Sequence, residues 1–186
     1  MLFILWGCGT THYVYKQSSI IPYPYPAPHI TSETIHTYVK SINAIRREGR
    51  RCGNLGYFPA VAPLRWNKAL YLAAYEHSAD MLAANVFTHK GSHSRTDWTT
   101  NVQHLGRAST FTDRIENNGY LQWKRLGQNI ATGMPTVEKT MEQWVTSEHH
   151  CENMMNPEFE EFGMAHVSNS STRFNHYWTQ NFATHQ

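Results

Sequence analysis

The order of elements predicts a single α+β domain, and three observations carry that expectation. Apolar residues recur at helical spacing in three separate segments, a strand, loop, strand pattern closes the chain, and a long Gly-, Ser-, Thr- and Asn-rich stretch lies between them. At 186 residues there is room for one domain and a short extension. Hydrophobic residues make up 40% of the chain and six are tryptophan, enough apolar surface to offset the entropy lost on folding.

The first helix is expected from Ser32, a capping residue, because Ile35, Tyr38, Val39, Ile42 and Ile45 repeat on one face until Gly49 and Gly53 end it. Asn67 caps a second helix running to about Asn85, with Leu70, Ala73, Ala74, His77, Met81 and Leu82 close to one stripe. On that stripe His77 is a core-edge residue rather than a ligand. Residues 88–127 read as long loops with a short helical piece near 113–118. A third helix begins near Thr136, turns Val137, Met141, Trp144 and Val145 inward, and runs toward His150 until Pro157 forbids more. Residues 162–167 and 174–183 then alternate as two strands around a Ser- and Asn-rich connection.

A formal net charge of +2 with interleaved signs gives no broad field for nucleic acid, and no apolar run is long enough to span a membrane. The one basic run, Arg46 to Arg51, falls where the first helix ends and complements its dipole. Residues 1–33 form a separate segment. The apolar start, Met1 to Gly7, resembles the tail of a signal peptide entering a lipid-attachment residue at Cys8, although it lacks a positive n-region and is short; the alternative is an inert segment. Alternate prolines over residues 21–28 favour an extended tether over packed structure, which places the folded domain at residues 34–186. Cys52 and Cys151 are far apart and lack the close spacing of a zinc knuckle or a redox pair. A structural disulfide is the natural pairing, worth roughly 4–5 kcal/mol for so long a loop and implying an oxidising compartment; two buried thiols are the alternative.

Several stretches, in order, resemble one family. They include Ala62-Pro63-Leu64-Arg65-Trp66-Asn67, His77-Ser78-Ala79-Asp80-Met81, Phe87-Thr88-His89 leading to Gly91-Ser92, and Asp113-Arg114-Ile115 with Gly119-Tyr120. Further on stand Gly127-Gln128-Asn129-Ile130-Ala131, Trp144 to Ser147, His150-Cys151-Glu152-Asn153-Met154-Met155-Asn156-Pro157 and Tyr177-Trp178-Thr179-Gln180-Asn181-Phe182. Over about residues 34 to 183 the chain is similar to the bacterial branch of the CAP superfamily, the SCP-domain proteins. That resemblance implies a three-layer α/β/α sandwich with a small antiparallel sheet, a cleft lined by histidines and acids, and the pairing of Cys52 with Cys151. Animal and plant members carry two histidines and two glutamates in the cleft. Here His89 matches the first histidine, Gln128 and Ser147 stand at the glutamates, and Tyr177 at the second histidine. Bacterial members often share the last two changes and add a histidine one turn on, here His150. The expected cleft is therefore His89, Gln128, Ser147, His150 and Tyr177, and His93 stands where the family's loop has an aspartate.

Two imidazoles, His89 and His150, could hold zinc or another divalent cation with an oxygen ligand. Gln128 weakens that case, because a neutral amide neither balances the metal's charge nor serves as a base. By strand alternation His176 points away from Tyr177 and is a poor third ligand. Ser147 and His150 stand at helical spacing that could allow a hydrogen bond, but no orienting acid accompanies them. The leading expectation is an exported, noncatalytic protein of the cell envelope or the extracellular space, binding an unknown ligand or envelope partner in a His-lined cleft. It meets a membrane only through a lipid anchor. The rivals are a metal-assisted hydrolase using His89 and His150, and a lipid-binding or structural envelope protein; fold alone does not choose among them.

Overall fold

A computed structural model describes residues 13–14 and 19–186; Cys8 lies outside the described residues. A two-residue strand, β1 (Tyr13–Val14), precedes helix α1 (Ser32–Arg46). Thr31 rather than Ser32 caps α1, its side chain accepting from the Thr34 N–H at 3.1 Å. Strands β2 (Arg50–Arg51) and β3 (Tyr57–Phe58) form a small ribbon, and β4 (Arg65–Trp66) leads into α2 (Lys68–Ala84). As expected, Asn67 caps α2, accepting from Ala69 and Leu70, and Asn85 closes it in a left-handed conformation.

The central loop region holds α3 (Trp98–Val102) and α4 (Phe111–Asn117), the latter opened by a Thr110–Asp113 capping box. Strand β5 (Trp123–Thr132) follows, where the sequence pattern suggested loop as far as Gly127. The expected third helix is two helices, α5 (Val137–Thr146) and α6 (Glu148–Met155), broken at Ser147, whose backbone is extended. The closing hairpin is β6 (Glu161–Ser168) and β7 (His176–His185).

Five strands form one sheet in the order β1-β5-β7-β6-β4, antiparallel except for the β4–β6 edge. On one face α1, α5 and α6 bury Ile42, Trp144 and Met154 against Phe162, Trp178 and Phe182. On the other, α2 and α4 pack Leu70, Ala73 and Ile115 against Leu126 and Ala183. The result is the three-layer sandwich. Gly163 permits the closeness of α2, since a Cβ there would lie 2.1 Å from the Tyr71 backbone nitrogen.

Cys52 and Cys151 are disulfide-bonded and buried, joining the region after α1 to α6 across 99 positions. Arg46 does more than complement the dipole of α1. Its side chain is fully buried and donates to the carbonyls of Ala62, Met154 and Asn156 at 2.7, 2.6 and 3.0 Å, tying α1 to the end of α6. Residues 21–28 form no helix or strand, and they are docked rather than free: the N–H groups of Tyr23 and Tyr25 find acceptors on Asn117 and Asn118, and that of Ala27 turns back to the Tyr25 carbonyl.

Candidate functional site

The loop after α2 carries His89, and buried polar groups hold it at three points. His77, fully buried in α2, places its Nε2 2.8 Å from the carbonyl of Thr88. Arg114 of α4, also buried, donates from Nη2 to the His89 carbonyl at 2.7 Å. The His89 ring meets Gln128 of β5, with Nδ1 3.0 Å from Oε1. His77 is thus a structural residue, as its place on the helix stripe suggested, though buried more deeply than a core-edge position.

The polarity of this contact follows from a chain of amides. The carbonyl of Leu70 can only accept, so Asn181 presents Nδ2 to it at 3.1 Å. Asn181 Oδ1 then accepts from Gln128 Nε2 at 3.0 Å, which turns Gln128 Oε1 toward His89. His89 must therefore donate from Nδ1, and its Nε2 carries the lone pair. Burial pushes the His89 imidazole below its ordinary pKa, outweighing the Gln128 hydrogen bond, and the Arg114 charge adds to the effect.

His150 approaches β5 from the opposite layer. Successive strand residues face opposite ways, and Asn129, next to Gln128, gives Nδ2 to the His150 carbonyl at 3.2 Å. Beyond its pairing of Arg125 and Leu126 with β1, β5 is an edge among the described residues, so the two histidine-bearing segments approach around it. Burial, with His89 and His149 nearby, lowers the His150 pKa to about 4. Both imidazoles are neutral at neutral pH.

The other expected cleft residues are placed differently. Tyr177 is fully buried with Met81 and Ile130, its hydroxyl donating to Asn85 Oδ1 at 3.2 Å, so it packs the α2 layer. Ser147 sits at the α5–α6 break, where its hydroxyl does not cap α6, and no hydrogen bond joins it to His150 among the described residues. His93 has a left-handed backbone, φ 56°, and its N–H donates to Asp97. His176 lies on the far face, its Nδ1 3.0 Å from His166 Nε2. A hollow of about 520 Å³ bordered by Ile30, Trp66 and Tyr71 is not lined by His89 or His150.

Sequence reading missed the groups that immobilise the loop. Glu76 accepts from the Thr99 N–H at 2.9 Å and from Asn118 Nδ2 at 2.8 Å, and burial raises its pKa to about 7 against the pull of these bonds and Arg114. Asp80 accepts from Ser92 N–H and Oγ at 2.7 and 2.6 Å, and from Thr96 Oγ1 at 2.6 Å. Acids at positions 76 and 80, four apart on an otherwise apolar stretch of α2, were the available signal. As a metal centre the cleft is incomplete, for two imidazoles fall short of the three or four donors zinc takes. Among the described residues no group of three or more His, Cys, Asp or Glu side chains gathers around a common point.

A helical layer on each face of a small, mostly antiparallel sheet defines the class of protein. The CAP family, described as the cysteine-rich secretory protein family, matches residues 40–182, and the chain belongs to it. It is 32% identical to the Bacillus subtilis protein YkwD over 120 residues, 64% of this chain and 39% of that protein. This chain thus spans under half the length of that curated relative. An extracellular SCP-domain protein of Bacillus anthracis superposes with TM-score 0.54 at 20% identity, covering 84% of this chain and 45% of that one. An outer surface protein of Borrelia burgdorferi gives TM-score 0.62 at 14% identity, covering 85% and 97%. These superpositions share the fold. Among the described residues no helix is long and apolar enough to cross a membrane.

Proposed function

We propose that this CAP-domain protein is exported and noncatalytic, and that its His89–Gln128–His150 cleft binds a ligand or an envelope partner by hydrogen bonding. The observation that carries the reading is the amide chain from Leu70 through Asn181 and Gln128 to His89. It occupies both ends of Gln128, supplies no carboxylate, and leaves His89 Nε2 as an acceptor for a ligand N–H or O–H. A catalytic reading needs a nucleophile with an oriented base, or a metal with at least three donors, and the residues gathered here offer neither. Export is supported by the Cys52–Cys151 bond, since such bonds persist in oxidising compartments. The extracellular and outer-surface proteins of like fold are consistent with it. Lipid attachment at Cys8 extends the same proposal.

A panel of peptide and ester substrates, assayed with and without zinc on the native protein and on His89→Ala/His150→Ala, tests this. No turnover that depends on the two histidines is expected. Turnover present in the native protein and abolished by the double substitution would replace the binding reading with metal-assisted hydrolysis. Calorimetric titration with zinc checks the metal separately: heats equal for native protein and His89→Ala are expected, and a saturable heat lost on substitution would assign a metal site.

A further inference from the structure

Against α2, α3 and α4 a row of aromatic and amide side chains holds residues 21–28. Tyr23 stacks on Trp98 with ring centroids 5.7 Å apart, and Tyr25 meets Trp98 edge-on at 5.7 Å and Tyr75 at 6.0 Å. The backbone is read as closely as the rings. The Tyr23 carbonyl accepts from Trp98 Nε1 at 3.1 Å and Asn117 Nδ2 at 2.9 Å, while the Tyr23 N–H reaches the Asn117 carbonyl at 2.9 Å. The Tyr25 N–H donates to Asn118 Oδ1 at 2.8 Å, and Gln103 Nε2 donates to the Ile21 carbonyl at 2.6 Å. Near the end of the segment Tyr71 donates to the Pro28 carbonyl at 3.1 Å.

Two features separate this from ordinary surface packing. Asn117 and Asn118 are almost fully buried, yet each turns a polar atom to the segment's backbone. In addition, the contacts fall on alternate residues. Residues 21, 23 and 25 supply every backbone group that is bonded in this stretch to α3, α4 or the turn after α3. Pro22, Pro24 and Pro26, which have no N–H to satisfy, are exposed, as are Ile21 and Tyr23, so the segment is held largely through its backbone. Aromatic rings flanking an extended proline-rich chain, with an indole N–H and amides on its carbonyls, are the means by which grooves recognise polyproline-type peptides.

We infer that Tyr71, Tyr75, Trp98, Gln103, Asn117 and Asn118 form a binding groove for an extended tyrosine–proline peptide, and that residues 21–28 of this chain are its resident ligand. The groove is coupled to the histidine loop. Asn118, which holds Tyr25, also donates to Glu76, and Glu76 accepts from Thr99 in the segment that Arg114 and Asp97 fix below His89. The docked segment therefore braces the loop from outside, independently of what the cleft binds.

The test uses full-length protein carrying Tyr23→Ser, Pro24→Ser and Tyr25→Ser, and a fluorescent peptide with the sequence of residues 20–28. Anisotropy is expected to show saturable binding to this variant, at least tenfold weaker binding to the native protein, whose groove is filled, and at least tenfold weaker binding when Trp98→Ala is added. Equal binding to all three proteins, or binding to none while the variant keeps its native near-UV circular dichroism, would overturn the inference. Should the variant not fold, amide exchange in the native chain decides. The Tyr23 and Tyr25 amides are expected to be protected and to lose that protection in Trp98→Ala; exchange at the rate of a free peptide in native protein refutes the groove.

Discussion

The two faces of the sheet are packed by different means. Under α1, α5 and α6 one apolar cluster runs from Tyr38 through Trp144 and Phe162 to Phe182, with a disulfide, the buried Arg46 and the Asn129–Asn153–Gln180 amides at its margin. Under α2 the apolar contacts break into smaller groups, and between them lie Ser78 on Thr179, Gln128 on Asn181, and the buried Glu76 and Arg114. Apolar packing is non-directional and sets stability, whereas a buried polar network is satisfied in few geometries and so fixes where a loop sits. The His89 loop and Gln128 stand on the face that uses the second means, whereas His150 comes from the other.

The contrast can be broken from either side. The largest effect is expected from Cys52→Ser/Cys151→Ser, which removes a 99-position crosslink and should lower stability by about 4–5 kcal/mol in urea denaturation, with the His89 environment unchanged in the folded fraction. Next come two substitutions of similar cost and different consequence. Phe182→Ala should destabilise by about 3–5 kcal/mol through a cavity and leave the His89 resonances in place. Arg114→Ala should cost about 3–5 kcal/mol by leaving the carbonyls of Ser109 and His89 without their charged donor, and it should also shift the His89 resonances, because it frees the loop carbonyl. Gln128→Glu places a carboxylate against Asn181 Oδ1, so about 1–3 kcal/mol of destabilisation is expected, together with a zinc heat that the native cleft lacks.

Acid tests the buried histidines of both faces more gently. His77, His89, His150 and His166 all have folded pKa values below the ordinary 6.5, with His150 and His166 at about 4. The unfolded chain therefore binds protons first, and the stability these groups contribute is full above 6.5 and is lost as pH falls toward 4. Glu76 acts in the other direction: its folded pKa of about 7 lies above the ordinary 4.5, so its contribution is lost as pH rises through that interval. Urea midpoints between pH 7.5 and 4 should fall with acid, and fall more steeply in Glu76→Gln.

Much of the scaffold was legible because its signals are local. The α2 cap at Asn67, the inward row of α5 and the closing hairpin follow from residue type and period, and the pairing of Cys52 with Cys151 followed from having no alternative partner in the folded region. Strand β5 was not, because its inner positions include Gln128 and Asn129, whose partners, His89, His150, Asn153, Gln180 and Asn181, come from other segments. Without those partners they look like loop residues. The same holds at the site. His89, Gln128 and His150 could be named from motif positions, but the side chain of Tyr177 turned out to fill the core. The roles of Glu76 and Arg114 depend on burial that sequence alone does not reveal.

The amide chain makes one demand that can be observed directly. Two-bond nitrogen–proton NMR correlation on ¹⁵N-histidine-labelled protein at pH 7 should find the His89 ring neutral, with the proton on Nδ1 and the lone pair on Nε2, as the polarity set at Leu70 requires. A ring protonated on Nε2, or carrying both protons, would contradict the account, because Gln128 would then not present its oxygen to His89 or the cleft would hold a cation.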